Sequence, residues 1–342
     1  SNPRTPHVRE WIRNTYITSA SQAQADGKVL LRFVMGRRGL NEADQRKVHA
    51  ENSTHHDIEP IDASDFAVRG GIFSCIDKLF AWFPHAAQAY PGARFYAKAD
   101  DDSYVDIKRL LGLLGPLSHV TNAYLGYVQY DSFIVDEWKH CGWSSGPVGA
   151  AQAHRSCPHK KGPTQSYGPF PFVVGALTVL GNDLANYMVK STWIRKLVAE
   201  GRESQNHAVK HWDCGYSDVT LGYAFAKSNL SVSLVSVRDA MKDATYGAMK
   251  GEHWVVSHHL RNEAQFKAAH KEALSDRAWK PRLEAGSCVD WPKVASSNAE
   301  KRSSKEEGAL LTRGDVSALD GAMKSFECCQ GWKVCEVVPE AV

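Results

Sequence analysis

The stretch Phe95–Val105, FYAKADDDSYV, decides how this chain is read. A short apolar run ends in Asp100, Asp101 and Asp102, side by side. One such aspartate is an ordinary helix cap, because its carboxylate accepts orphan N–H groups and suits the helix dipole. Three need more, since a helix end offers only about half a unit of positive charge. A divalent cation is the simplest neutraliser, and oxygen ligands without thiols suit magnesium, manganese or calcium. An EF-hand is excluded, because Val105 and Leu111 stand where its loop needs Gly and Glu. The position also points to a site: in open α/β sheets, ligands bind beyond the carboxyl ends of strands.

Outward from the triplet, short apolar runs alternate with helical periods, the pattern of an α/β sheet. Val29–Met35 reads as a buried strand, and Arg94–Ala97 as the strand that delivers the aspartates. Between them, Ile72, Cys75, Ile76, Leu79, Phe80 and Phe83 share one helical face, which Pro84 is expected to stop. Ser103-x-x-Asp106 is expected to open the next helix. Further strands are read at Tyr124–Val128 and Leu230–Val237, a buried strand pair or strand-turn at Phe170–Leu180, and a short strand or strand end at Trp254–Leu260, with helices from Asp183 to about Glu200 and over Ser217–Lys227. Residues 130–169 read as irregular. After about Glu272 the composition shifts, and residues 294–308 form a polar stretch.

Composition excludes some classes. The net charge is +3 and no basic run exceeds three residues, which argues against a nucleic-acid binder. No run of about twenty apolar residues is present, so nothing here reads as a membrane span. Eight cysteines, without a CxxC pair, argue against a zinc ribbon or thioredoxin motif. Cys288, Cys328, Cys329 and Cys335 bracket the tail, where disulfides are the natural source of order. Sequons at Asn52 and Asn229 are compatible with a secretory lumen.

KADDDSYVDIKRL resembles the acidic motif of inverting glycosyltransferase family 31, especially its Fringe-like members. Other pieces follow in the family's order. Ile12–Tyr16 (IRNTY) is similar to its amino-terminal IRxTW, and FSCIDKLFAWF to its lysine-bearing helix. FPFVVGALTVLGNDLA, SDVTLGY and SHHL are similar to its apolar glycine segment, downstream acidic motif and late histidine segment. The similarity spans about residues 4–262. It implies a GT-A fold: a Rossmann-like mixed sheet flanked by helices. Residues 1–272 would form the catalytic domain, with a nucleotide-sugar half over about 1–120 and an acceptor half over 121–272. Residues 273–342 would add a cysteine-containing, disulfide-tied extension. The resemblance also implies a UDP-sugar donor, manganese or another divalent metal, and a glycan or glycoprotein acceptor joined through a β-1,3 linkage. It implies residence in the Golgi or ER lumen through an amino-terminal anchor.

The family pattern assigns roles. Asp102 would bind the metal directly, while Asp100 or Asp101 would reach the ribose or hold the metal through water. Asp218 would be the base that takes the acceptor proton; helix capping is the alternative, and Ser217 stands where the family has a preceding acid. His258 or His259 would ligate the metal, with His259 favoured. In a strand the two would point to opposite faces, so only one would reach it. Arg13 would pair with the diphosphate through its planar fork, unless it is an ordinary helix-surface arginine. Asp65 would lie near the uracil and Lys78 would match the helix lysine. Trp138 and Trp143 would stack on a sugar unless they are core anchors, and Cys141 and Cys157 would close the irregular segment as a loop. Two other classes remain: a GT-A-like module that binds nucleotide or glycan without transfer, and a magnesium phosphatase built on the carboxylates.

Overall fold

The computed structural model describes residues 2–65, 74–134, 139–146, 149, 153–154, 157, 166–206, 217–228, 230–243, 253–275, 281–284 and 334–339. Trp138, Cys214, Asn229, Cys288, Cys328, Cys329 and the polar stretch 294–308 lie outside them. The helices are α1 (Pro6–Ile12, continued by a π-helical turn over Arg13–Ile17), α2 (Ser21–Ala25), α3 (Glu42–His55), α4 (Ser74–Ala89) and α5 (Ile107–Leu114). They continue as α6 (Asn182–Lys190), α7 (Thr192–Asn206), α8 (Ser217–Ala226) and α9 (Glu263–Ser275). The strands are β1 (Phe33–Arg38), β2 (Ile58–Ser64), β3 (Phe95–Ala99), β4 (Tyr104–Val105), β5 (Ala123–Ile134) and β6 (Lys139–Ser144). They are followed by β7 (Ser166–Gly181), β8 (Ser233–Ser236), β9 (Met241–Asp243), β10 (Val256–His258), β11 (Pro281–Glu284) and β12 (Val334–Pro339).

The central sheet runs β11-β12-β8-β5-β7-β3, with β6 beside β5. It is mixed: β5 pairs parallel with β8 and antiparallel with β7. Two apolar clusters pack it. One gathers Ile12, Phe33, Leu110, Val235, Trp254 and Phe266; the other gathers Ile76, Phe83, Tyr124, Phe170, Leu184 and Phe225. Burial of these side chains, at roughly 1.5–3 kcal/mol each, supplies the main drive to this arrangement. Parallel β1 and β2 stand as their own pair, and β4-β10-β9 form a small sheet. Among the described residues no helix is long and apolar enough to cross a membrane.

Several elements differ from the sequence reading. Pro84 does not stop α4, which runs to Ala89. Phe83, Ala86 and Ala87 keep one face buried across the proline, and that burial outweighs the lost hydrogen bond. Asp106, not Ser103, caps α5, its side chain accepting from the Arg109 N–H at 3.0 Å. The "irregular" segment opens with a β5–β6 hairpin, closed by a Cys141–Cys157 disulfide as expected. Phe170–Leu180 lies in one long strand that spans Ser166–Gly181. Asn52 lies inside α3, and its carboxamide oxygen accepts from the Ile58 N–H at 3.0 Å, a structural use for the first sequon.

The sheet links residues on both sides of 120, because β3 pairs with β7. Residue 272 lies in α9, and β12, which contains Cys335, pairs with β8. Asp77 is a buried hub of this architecture: it accepts from the Ser64 N–H of β2 at 3.1 Å and from Arg202 of α7 at 2.7 Å. Burial pushes its carboxyl above the usual range, against the charges of Arg202 and Arg38. Asp77→Ala leaves these donors unpaired and is expected to cost about 2–4 kcal/mol in denaturant unfolding. A loss below about 0.5 kcal/mol, the range of an ordinary surface change, would contradict the hub.

Candidate active site

The triplet follows β3 and is pinned by backbone bonds. Ser103 N donates to Asp100 O at 3.1 Å, and Leu260 N donates to Asp102 O at 2.9 Å. Pairing of β4 with β10 then brings the histidine segment alongside. Beneath it Tyr104 is buried edge-on to Tyr16 and Trp254, with its hydroxyl 2.9 Å from His270 Nδ1. The Ser103 hydroxyl is fully buried without a hydrogen-bond partner. We have no physical account of that.

The charge question has a different answer from the one the sequence invites. Asp100 pairs with Lys98 at 2.6 Å. Asp102 pairs with Arg261 at 2.7 Å and with His258 Nε2 at 3.3 Å. Side chains of the protein thus already balance two of the three carboxylates. Burial alone would raise the Asp102 carboxyl, but His258, Arg261 and His259 bring it below the usual range. Asp101 faces Tyr16, whose phenol is pushed up by burial and further by the nearby Asp101 charge.

The case for a metal therefore rests on the donor set. Asp102, His258 and His259 offer ligand atoms within 4.8 Å of one another. Both histidines turn Nδ1 toward buried Asp243, at 3.2 Å from His258 and 2.9 Å from His259. A carboxylate on Nδ1 fixes the ring and leaves Nε2 to ligate, the usual outer-shell device of metal sites. One carboxylate and two imidazoles suit a manganese-class ion. Burial lowers the basicity of His258, yet Asp102, Asp100 and Asp243 overcome this and raise it.

Strand alternation does not keep the histidines apart, contrary to expectation. β10 ends at His258, and His259 takes a left-handed φ of 61°. That turn stacks the two rings with centroids 3.8 Å apart, so both reach the same side. Asp243 carries no sequence motif. It reaches the site only through parallel pairing of β9 with β10, where it registers with His258.

Asp218 enters from α8. Gly222, one turn further on, lets that helix sit directly on β7: a Cβ there would stand 2.4 Å from Phe172 Cβ. Asp218 Oδ2 then accepts from the Gly175 N–H at 2.6 Å. A Cβ on Gly175 would stand 2.8 Å from Asp218 Oδ2, 2.8 Å from Lys98 Nζ and 2.9 Å from Asp100 Oδ2. The absent side chain leaves room for these three groups to converge. Burial pushes the Asp218 carboxyl up and Asp100 adds to this, while Lys98 opposes it; the net direction is upward.

The remaining expectations divide. Asp65 and Lys78 meet directly as an ion pair, and Asp65 also accepts from the Gly36 N–H at 2.5 Å. They lie where β1 and β2 end. The Arg13 fork bonds Asp57 at 2.8 and 2.9 Å and Glu51 at 2.8 Å, tying the first helices to α3 and the start of β2. Tyr16 of the same IRNTY motif approaches the triplet. Trp143 is 53% exposed, with its indole N–H donating to Gln129 at 2.8 Å, so it is no core anchor. Asp243→Ala is expected to weaken manganese binding about 10–100-fold by calorimetry with the fold retained. Unchanged affinity would contradict the Asp243–histidine arrangement.

The galactosyltransferase family model matches residues 7–200, more than half of the chain. A search of curated proteins finds no match. The matched region contains the triplet, Lys98, Gly175 and the long β7, and ends before Asp218 and the histidines. The mixed sheet with helices on both faces is a GT-A-like glycosyltransferase fold. By its sequence over that region, carried on this fold, the chain belongs to the galactosyltransferase family and is a glycosyltransferase.

Proposed function

We propose that this chain is an inverting, metal-dependent transferase. It moves a sugar from a UDP-sugar to a hydroxyl of a glycan or glycoprotein, forming a β-1,3 linkage. The observation that supports this reading is the meeting of Asp218 with Asp100 around Gly175, which sets a half-buried carboxylate beside the triplet. An inverting transfer needs one base and no covalent enzyme intermediate. The acceptor hydroxyl gives its proton to an Asp218 oxygen while its own oxygen attacks the anomeric carbon from the face opposite UDP. The bond from that carbon to the diphosphate oxygen breaks, and its electron pair leaves with UDP. Asp102, His258 and His259 would hold a manganese-class ion, which supplies Lewis-acid stabilisation to the leaving diphosphate. Asp100 and Asp101 would orient the ribose or metal-bound water, and Asp65 with Lys78 would border the nucleotide.

Burial of Asp218 favours this role. A carboxylate pushed upward is a stronger base at neutral pH, provided it stays ionised. Members of this family are typically Golgi enzymes, and we assign the full-length protein to the Golgi or ER lumen as a type II membrane protein. The nucleotide-sugar half would then lie toward the amino terminus and the acceptor half beyond it, with Trp143 at the acceptor edge.

The test is a screen of UDP-sugars with manganese, scoring hydrolysis and transfer. Asp218→Asn is expected to lower kcat about 10²–10⁴-fold while UDP binding by calorimetry persists. Loss of binding together with the fold would mark Asp218 as a cap instead. Asp102→Ala is expected to abolish turnover and manganese-dependent UDP binding; full turnover in that variant would refute the metal role. The base works ionised, so kcat should fall as pH drops through the Asp218 pKa. That limb should lie above the ordinary carboxylate value of about 3.9. UDP binding without turnover on any donor would instead identify a binding module.

A further inference from the structure

Lys98 stands where the donor-side and acceptor-side carboxylates meet. We propose that Lys98 is a positioning residue for transfer: by bonding Asp100 and the Gly175 carbonyl, its ammonium fixes the glycine whose amide orients Asp218. The inference rests on the transferase reading above and names a residue that the reading does not use.

Geometry carries it. Lys98 Nζ lies 2.6 Å from Asp100 Oδ1 and donates to the Gly175 carbonyl at 2.9 Å. Asp218 Oδ2 accepts from the N–H of that same Gly175 at 2.6 Å. One glycine thus clamps the ammonium through its carbonyl and the base through its amide. Its missing Cβ leaves the space that Lys98 Nζ, Asp218 Oδ2 and Asp100 Oδ2 surround.

The plainer account is a strand lysine paired with the carboxylate two residues on, on the same face. That explains the contact with Asp100. It leaves unexplained why the ammonium also bonds the backbone of β7 at the point that receives Asp218. A base must be held at a fixed place to take the acceptor proton, and the Lys98–Gly175 bond fixes the backbone on whose amide Asp218 is anchored. When Asp218 accepts the acceptor proton, Lys98 keeps Asp100 and the Gly175 carbonyl as partners. Its position therefore does not depend on the charge of the base, and Asp218 is returned to the same place for the next turnover.

The test uses the whole chain, manganese and a UDP-sugar that the wild type turns over. Lys98→Met removes the charge at similar length, and Lys98→Gln is measured beside it. Expected are manganese and UDP affinities and donor KM within about threefold of wild type, with kcat lower by about 30-fold or more. Lys98→Arg, which restores a cation, should recover at least about tenfold of that loss. A folded Met or Gln variant with unchanged kcat would overturn the inference. So would a rise in donor KM and UDP Kd at constant kcat, which would make Lys98 a donor-binding residue. Unfolding of both variants would overturn it as well, by assigning Lys98 to the fold. Wild-type turnover with an unaffected Lys98→Met sinks this inference alone; a wild type inactive on every donor sinks the transferase reading, and this inference with it.

Discussion

Carboxylates packed at the end of one strand repel, and the active-site end of this molecule is arranged around that repulsion. Two unit charges about 4 Å apart interact by about 4 kcal/mol near a protein surface. A helix end returns only about 0.3–1 kcal/mol to one of them. Capping therefore cannot balance Asp100, Asp101 and Asp102, and cations must come from elsewhere in the chain. They are Lys98 from the same strand and Arg261 just beyond β10, while His258 of β10 also meets Asp102. Each arrives through a particular pairing. The β4–β10 ladder and the Leu260–Asp102 backbone bond bring the histidine segment in, and β3–β7 pairing places Lys98 over Gly175.

The same pairings explain why the site was only partly legible. The triplet, its position after a strand and the helix that carries Asp218 are local patterns, and the structure places them close to the sequence reading. Lys98 and Asp100 were also accessible, since alternation puts them on one face of a strand. Asp243 was not: it is an unremarked aspartate until β9 and β10 pair in parallel. The joint reach of the histidines depends on a left-handed turn at His259, which no alternation rule anticipates. The partners of Arg13, Glu51 and Asp57, are distant in sequence and meet it only in the fold. Pro84 was misread because local propensity yields to a face buried on both sides of it.

The work of the site divides along the chain. Family membership covers residues 7–200, and with them the donor-side carboxylates and the sheet beneath. The proposed base and the histidine pair lie past that region, and their roles rest on where the fold puts them. Gly175 joins the two parts, since Lys98, Asp100 and Asp218 converge around it. The conspicuous aspartates thus hold the donor in this account, while a quieter, more buried one activates the acceptor. Near the acceptor side, the Cys141–Cys157 disulfide ties residues around β6, and Trp143 presents an exposed ring with a fixed indole N–H.

The central claim is that Asp102 and the Asp243-oriented histidines form one metal centre beside the donor. Anomalous diffraction from crystals soaked in manganese and UDP tests it most directly. The account predicts one strong manganese peak within bonding distance of an Asp102 oxygen and of imidazole Nε2 from His258 or His259, with UDP phosphate oxygens completing the sphere. UDP bound with no peak there, or a manganese peak held only by other residues, would contradict it.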